Sequence, residues 1–408
     1  MKKLLKIVLY IIIILALIYL LLPTQKNHSS QANNIDDYIE AVMNESAIPG
    51  MAIAVIKNNK VILSKGYGYA NVTDKQNVSE HTPFNIASLS KPILGISLLQ
   101  LVDMGFLNLD EDINKYLPFK IINPKVTSRP ITIRHLATHT SGINDYYDES
   151  SYAINKDSDV SLLEHVKRLL TPDGKLYAQG KYFSDNSAGS NRDYSNLGAG
   201  VAGLVLESLM HESLGEFSMR EIFLPLGMNN TGWMLADFKL NELATRYSVK
   251  QCIPYLKICA DANSAKSNHL ISLIFNPPFE NKEFIAYPHY GNPQYPDGNI
   301  NTSVYDLSLL LQSLFNQARG DDFKLLNKES LIEMFKLQLP AELSTRQRFF
   351  WRDNQLGLTG HTGSDLGIFS SIYFDIEKQH AVIILMNRDV DSVTARAMNE
   401  IRIKLFEL

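Results

Sequence analysis

Ser88 and Lys91 stand three residues apart in the stretch Phe84-Asn85-Ile86-Ala87-Ser88-Leu89-Ser90-Lys91. A serine hydroxyl is a poor nucleophile until a nearby base takes its proton. A lysine held close, in partly apolar surroundings, can lose enough proton affinity to help. The stretch runs from an extended segment into an apolar, helix-periodic one at 89–104. Ser88 therefore falls where a strand gives way to a helix, and Lys91 lies one turn along the same face. Unpaired N–H groups and the dipole at a helix start favour developing negative charge. The spacing alone is a weak signal: about one or two Ser-x-x-Lys pairs arise by chance in a chain this long. Taken by itself, Ser88 reads first as a helix N-cap.

Two further stretches change its weight. Tyr194-Ser195-Asn196 precedes a segment of small and apolar residues. A tyrosine beside a cation is a stronger acid than usual, so Tyr194 could take the Ser88 proton and return it to a leaving group. Asn196 has both a donor and an acceptor to orient Lys91 and to bond a substrate amide. His361-Thr362-Gly363 with Ser364 follows a strand-like segment. Gly363 has no side chain, so a substrate backbone could lie against that edge. The N–H groups of Ser88 and Ser364 could then hold an oxyanion. Each stretch taken alone reads as a surface turn.

These residues need elements to hold them. Helical periodicity is present at 35–44, 132–138, 162–170, 197–210, 304–316 and 391–406. Strand-like segments lie at 51–56, 61–69, 355–360, 367–375 and 381–387, with Asn58-Asn59 as a hairpin turn. Residues 144–191 read as loop apart from the helix at 162–170, and 236–301 as irregular. Strands at both ends with helices between predict an α/β (α+β) fold. An antiparallel sheet built from both termini is flanked by helices, with a mostly helical second lobe and a site in the cleft between.

The 408 residues are ordinary in composition and carry a formal net charge of −4. No basic run points to nucleic acid. No Cys/His cluster has metal-ligand spacing, and none of the chemistry above asks for a cofactor. His135 and His139 are read as structural. Cys252 and Cys259 are either two small buried hydrophobes or, in an oxidising compartment, a local disulfide. Lys2, Lys3 and Lys6 precede an apolar run at 7–22 that reads as a membrane anchor or a signal peptide. No good cleavage site follows closely, which favours an uncleaved anchor at 1–22 and a tether at 23–34. The domain at 35–408 is then exported to the extracytoplasmic, periplasmic side. The alternative is a cleaved, secreted or periplasmic protein.

Ser-x-x-Lys, Tyr-x-Asn and His-Thr-Gly in this order resemble the three active-site motifs of the serine β-lactamase and penicillin-binding protein superfamily, here the class C β-lactamase-like branch. Leu136-Ala137-Thr138-His139-Thr140-Ser141-Gly142 is similar to a further signature of that branch. So are Leu107-Asn108-Leu109-Asp110 with Tyr116-Leu117-Pro118, Leu224-Pro225-Leu226-Gly227-Met228, and Asp297-Gly298. The resemblance implies the β-lactamase/transpeptidase-like fold and an acyl-enzyme serine hydrolase without cofactor, expected to be a monomer. Ser88, Lys91 and Tyr194 are then catalytic, and Asn196, His361, Thr362 and Gly363 bind substrate. The substrate is a D-amino-acid peptide of the cell wall, an amide or an ester. The alternatives are a penicillin- or wall-peptide-binding protein with little turnover, or a true β-lactamase. Two departures stand out. His361 replaces the lysine of many β-lactamases, and 190–193 is polar where the branch often has Pro-Gly and an aromatic. A histidine mostly neutral at pH 7 donates a hydrogen bond where a lysine attracts a carboxylate. Esters and neutral amides then become substrates beside anionic ones.

Overall fold

A computed structural model describes residues 34–126, 129–249, 252–253, 258–259, 283–319 and 324–408. Seven strands form one sheet: β1 (Gly50–Lys57), β2 (Lys60–Asn71), β3 (Gln76–Asn77), β4 (Arg352–Asp353), β5 (Thr359–Asp365), β6 (Ile368–Asp375) and β7 (His380–Met386). Their order is β4-β5-β6-β7-β1-β2-β3, and every neighbouring pair is antiparallel. The two ends of the chain meet where β1 pairs with β7, Met51 opposite Met386 and Ile56 opposite Ala381. The β1–β2 turn uses Asn58 and Asn59 at φ +49 and +60, a left-handed pair that asparagine tolerates.

Alternation along β1 divides the core. Met51, Ile53 and Val55 face helices α1 (Ile35–Glu45) and α8 (Ser392–Phe406), packing with Ile39, Val42, Ile401 and Leu405. Ala52, Ala54 and Ile56 point the other way, into the larger core beneath the helical lobe. That lobe comprises α2 (Ser90–Asp103), α3 (Ile133–Ala137), α4 (Leu162–Leu170), α5 (Asn196–Met210), α6 (Val304–Arg319) and α7 (Lys328–Phe335), with shorter turns between. In α2 every residue from Ser90 to Leu101 is buried, as its nearly unbroken apolar sequence requires. In α5, Gly200 and Gly203 admit the segment carrying Gln294 and Pro296. A Cβ at these two glycines would come within 2.8 Å of Gln294 Cγ and 2.5 Å of Pro296 Cγ. That segment continues as Asp297 and Gly298 into the site.

Three expectations are corrected. The strand expected at 355–360 begins at Thr359 and runs through His361-Thr362-Gly363 to Asp365, so this motif lies on the strand and not in a turn after it. Asn354 Oδ1 accepts from the backbone N–H groups of Leu356 and Leu358, closing a turn where the strand was expected. The span 236–301 contains a strand pair, Arg246–Val249 against Phe284–Tyr287. Helix α7, capped by Asn327, was not foreseen. Cys252–Ile253 pairs with Ile258–Cys259, with Cys252 and Cys259 in register. The apolar run at 7–22 lies outside the described residues. Among those described, no helix is long and apolar enough to cross a membrane.

Candidate active site

Ser88 sits in a 3-10 turn, Ala87–Leu89, that leads directly into α2. The turn is fixed on all sides. Ala87, at φ +45, donates its N–H to Asn85 Oδ1 at 3.0 Å. Ile86 N–H reaches Ile300 O at 2.9 Å, and Ser90 Oγ accepts from Ile300 N at 3.1 Å. A non-glycine residue at positive φ survives only where its surroundings hold it there. The N-cap of α2 is Leu89, with no side-chain cap. The Ser88 hydroxyl is thus not spent on capping; it accepts from Lys91 Nζ at 3.1 Å.

Lys91 is fully buried. Its ammonium also donates to Asn196 Oδ1 and to the carbonyl of Asp297, each at 2.6 Å. Three acceptors match its three N–H bonds, which is what a buried cation needs. Asn196 opens α5 behind the N-cap Ser195, whose Oγ accepts from Gly198 N at 2.9 Å. Asp145 holds Asn196 twice, accepting from its N and from its Nδ2 at 2.8 Å each. The Asn196 acceptor therefore faces Lys91, as expected, while one Nδ2 proton is committed to Asp145. The buried Asp297 carboxyl is pushed up to about 6 by desolvation, against the opposing pull of Lys91.

Tyr194 presents its ring 5.2 Å from Lys91 Nζ, measured to the centroid. The His139 ring packs on it at 4.2 Å between centroids. His139 is buried at φ +58, and its Nδ1 accepts from Ser195 N at 3.3 Å. Burial first, and then the Lys91 charge, hold it well below the usual imidazole range, so it is neutral. His139 thus supports Tyr194. His135 closes the capping box of α3 with Thr132.

On β5 the geometry departs from the sequence expectation twice. His361 Nδ1 lies 2.7 Å from the carbonyl of Thr362. A carbonyl only accepts, so Nδ1 carries the proton and Nε2 is left with a lone pair. Desolvation first and Lys91 second push this histidine down to about 3. His361 is neutral, as expected, but it offers the cavity an acceptor and not a donor. Gly363 faces the chain itself and not open space for a substrate backbone. A Cβ there would lie 2.0 Å from Ile86 O and 2.5 Å from Ser370 Oγ, and Ser370 Oγ donates to that same carbonyl at 2.6 Å. Gly363 lets β5 dock onto the turn that carries Ser88.

Ser88, Tyr194, Asn196, His361, Thr362 and Ser364 all line one cavity of about 1370 Å³. Lys91 and Gly363 lie behind its wall. Tyr147, Tyr152 and Tyr290 line it as well, Tyr152 and Tyr290 stacked at 5.3 Å. So do Arg192, Arg346 and Arg352. Asp145 and these arginines escaped the sequence reading, and His139 was read only as structural and as part of the 136–142 signature. Arg192 was noticed only as part of a polar departure two residues before Tyr194, which was the available signal. Asp145, just past the 136–142 signature, gave none. Among the described residues no group of three or more His, Cys, Asp or Glu side chains could hold a metal ion. The arrangement brings a free hydroxyl against a fixed ammonium at the floor of an open cavity, the setting in which a serine can be acylated.

The comparisons agree with that chemistry. Protein flp of Staphylococcus aureus (strain N315) is 29% identical over 293 residues, covering 69% of this chain and 56% of the relative; the chain thus spans little more than half of that protein. Penicillin-binding protein 4* of Bacillus subtilis (strain 168) is 26% identical over 364 residues, covering 85% of this chain and 70% of the relative. The structure of a D-amino acid amidase from Ochrobactrum anthropi SV3, solved with D-phenylalanine, superposes with a TM-score of 0.66. It does so at 20% identity, over 92% of this chain and 98% of that one, and so shares the fold. The sequence model of the Beta-lactamase family matches residues 35–405, and with its fold and motif order in place the chain belongs to that family.

Proposed function

We propose that this protein is a serine hydrolase that works through an acyl-enzyme on a D-amino-acid peptide, amide or ester. The observation that carries the reading is the buried Lys91 ammonium, held by Asn196 and the Asp297 carbonyl and aimed at Ser88 Oγ. Ser88 Oγ attacks the carbonyl while its proton passes to the phenolate oxygen of Tyr194, which the neighbouring Lys91 ammonium, itself still protonated, favours. The N–H groups of Ser88 and Ser364 receive the oxyanion. The proton then moves to the leaving group as the C–N or C–O bond breaks. Water enters by the same route, and hydrolysis of the ester restores Ser88. Thr362 and the Nε2 lone pair of His361 contact the substrate. A lone pair there favours an N–H or O–H on the substrate and disfavours a carboxylate, so β-lactamase turnover is expected to be weak and esterase or amidase turnover measurable. The amidase likeness is compatible with a D-amino-acid acyl group.

Intact-protein mass spectrometry with penicillins, D-Ala-D-Ala peptides and nitrophenyl esters tests this. A transient acyl adduct that disappears on Ser88→Ala, with the fold kept, is the expected result. Adducts that persist in the variant would move the chemistry to another residue. An adduct that never clears would make the protein a penicillin- or peptide-binding one. We also propose that the domain acts outside the cytoplasm, held by the lysine-flanked run at 7–22. Protease treatment of intact cells should then digest it, and full protection would count against export.

A further inference from the structure

We propose that Arg246 is a positioning residue for the reaction at Ser88: tethered to Asp365 and Tyr290, it fixes the open end of β5 and with it the Ser364 N–H that receives the oxyanion. The inference rests on the serine hydrolase reading and adds a residue which that reading does not use.

The end of β5 depends on such a hold. On one side β5 pairs with β6 along its whole length, down to Ser364 opposite Phe369 and Asp365 opposite Ile368. On the other side β4 reaches only Thr359 and Gly360. Among the described residues, the stretch from His361 to Asp365 therefore has a strand on one side only, and His361, Thr362, Ser364 and Asp365 line the cavity. A strand paired on one edge draws ladder bonds from that edge alone, so side-chain contacts carry more of its placement. Gly363 secures the middle of this stretch against Ile86. Its end is held through Asp365. Asp365 Oδ2 accepts from the Tyr290 hydroxyl and from Arg246 Nη1 at 3.5 Å. Its Oδ1 accepts from Leu366 N at 2.8 Å. The Arg246 guanidinium carbon lies 4.6 Å from the centre of the Tyr290 ring, and that ring also stacks on Tyr152. Cation, carboxylate and ring thus close on one another in a place shielded from water, where each contact is stronger.

Stability does not account for Arg246. Its side chain is 2% exposed, yet among the described residues its Nε has no hydrogen-bond partner, and the Asp365 carboxylate stands at the long limit of a bond. A buried guanidinium so loosely answered is less favourable than an apolar side chain of similar size. A buried group left unsatisfied calls for a role beyond the fold. The backbone docking at this place is made without the guanidinium. Gly367, at φ +70, lets the β5–β6 turn approach until a Cβ there would lie 2.5 Å from Tyr247 N. Tyr247 N–H donates to Gly367 O at 3.3 Å, and Gly367 N–H donates to Asp389 Oδ1 at 2.5 Å. The turn therefore stays docked when the guanidinium is removed, and what is lost is the aim of the last residues of β5. Arg246 does not line the cavity itself, so its effect passes through Asp365.

Steady-state kinetics with one nitrophenyl ester test this. Arg246→Gln should lower kcat by about 10–100-fold, part of what the loss of a whole oxyanion donor costs, with KM changed by less than about twofold. Arg246→Lys, which keeps a charge at that place, should recover part of kcat. A boronic acid that forms a tetrahedral adduct on Ser88 Oγ should lose affinity by the same factor as kcat, an effect that a merely looser fold would not produce. Arg246→Gln combined with Asp365→Asn should be no slower than Arg246→Gln alone, because both act through one contact. Tyr290→Phe removes one donor to Asp365 and leaves Arg246 in place. It should act in the same direction and by less, and it serves as the test where melting curves show that Arg246→Gln does not fold. A native kcat in Arg246→Gln, or in Tyr290→Phe where the former does not fold, would overturn the proposal. So would a change confined to KM, or a boronate affinity that stays native while kcat falls. Fluorophosphonate labelling of Ser88 in the unaltered protein separates the two readings. Labelling together with a kcat indifferent to Arg246 removes the positioning role alone, and no labelling removes the hydrolase reading with it.

Discussion

On the Lys91 side of the cavity the charged groups are held by hydrogen bonds. Three oxygens take the ammonium, both oxygens of Asp145 hold Asn196, and the Asp297 carboxyl is bonded by Gln294 at 2.8 Å. On the hairpin side, Arg346 and Arg352 line the same cavity without a carboxylate partner among the described residues. The first wall is complete as it stands, so it can hold reacting atoms in place before a substrate arrives. On the second, no ion pair among the described residues holds these two guanidiniums. The two should respond in opposite ways when a cation is removed.

Lys91→Met gives the largest effect of this kind. Acylation should slow by about 10³-fold or more, the upper range of proton-transfer assistance. Stability should fall by about 2–4 kcal/mol, because Asn196 Oδ1 and the Asp297 carbonyl lose their donor in a buried place. Arg346→Gln should leave stability unchanged or slightly higher, since it relieves repulsion. Paired urea melts decide: equal losses in both variants would erase the distinction between the walls.

Gly363→Ala is the next in size. The new Cβ would meet Ile86 O at 2.0 Å, so β5 and the Ser88 turn must separate. We expect a loss of about 2–4 kcal/mol, as for other overpacked or strained core positions. Covalent labelling of Ser88 should drop alongside. A variant of normal stability and labelling would mean that the docking of β5 on this turn is dispensable.

Much of the first wall could be read beforehand, and little of the second. Ser88, Lys91, Tyr194 and Asn196 announce themselves because short spacings along two helix starts bring them out together. Gly363 was noticed for the right physical reason, the absence of a Cβ, but assigned to the wrong neighbour; only tertiary contact reveals Ile86. The strand expected at 355–360 was not continued through His361-Thr362-Gly363, because these residues are small or polar and do not alternate with large apolar ones. Arg192 and the hairpin at 346–352 are more than 150 residues apart, so no local pattern joins them. The expected anchor at 7–22 lies outside the described residues. The cysteine pair is better placed than spacing alone promised. Opposed residues of antiparallel strands have Cα atoms about 4.5–5.5 Å apart, and Cys252 faces Cys259, within the span of a disulfide. We expect no alkylatable thiol in protein recovered from an oxidising compartment; two labelled thiols without reductant would leave them as a reduced pair. The bridge closes a short loop, so its contribution should be at the low end of the usual about 2–4 kcal/mol.

His361 stands between the two walls and reports on both. It feels desolvation first, then Lys91 from one side and Arg192 and Arg352 from the other, and is pushed down to about 3. Its ordinary value, which the unfolded chain should show, is about 6.5. Above pH 6.5 it is neutral in both states and contributes nothing to the pH dependence of stability. As pH falls below 6.5 the unfolded chain takes up a proton that the fold refuses until about pH 3, so stability is lost across that window. His139, held low for the same reasons, acts in the same direction. The part due to His361 is the difference between the native protein and His361→Gln, whose acid limb should be shallower. Following the imidazole signal by NMR sharpens the comparison. Lys91→Met should raise the His361 midpoint more than Arg192→Gln does, because Lys91 is the stronger of the two charges at that ring. Neither should bring it back to 6.5, because burial is the larger cause. A His361 that already titrates near 6.5 in the native protein would show that neither wall bears on it, and the acceptor role of its Nε2 at mildly acidic pH would go as well.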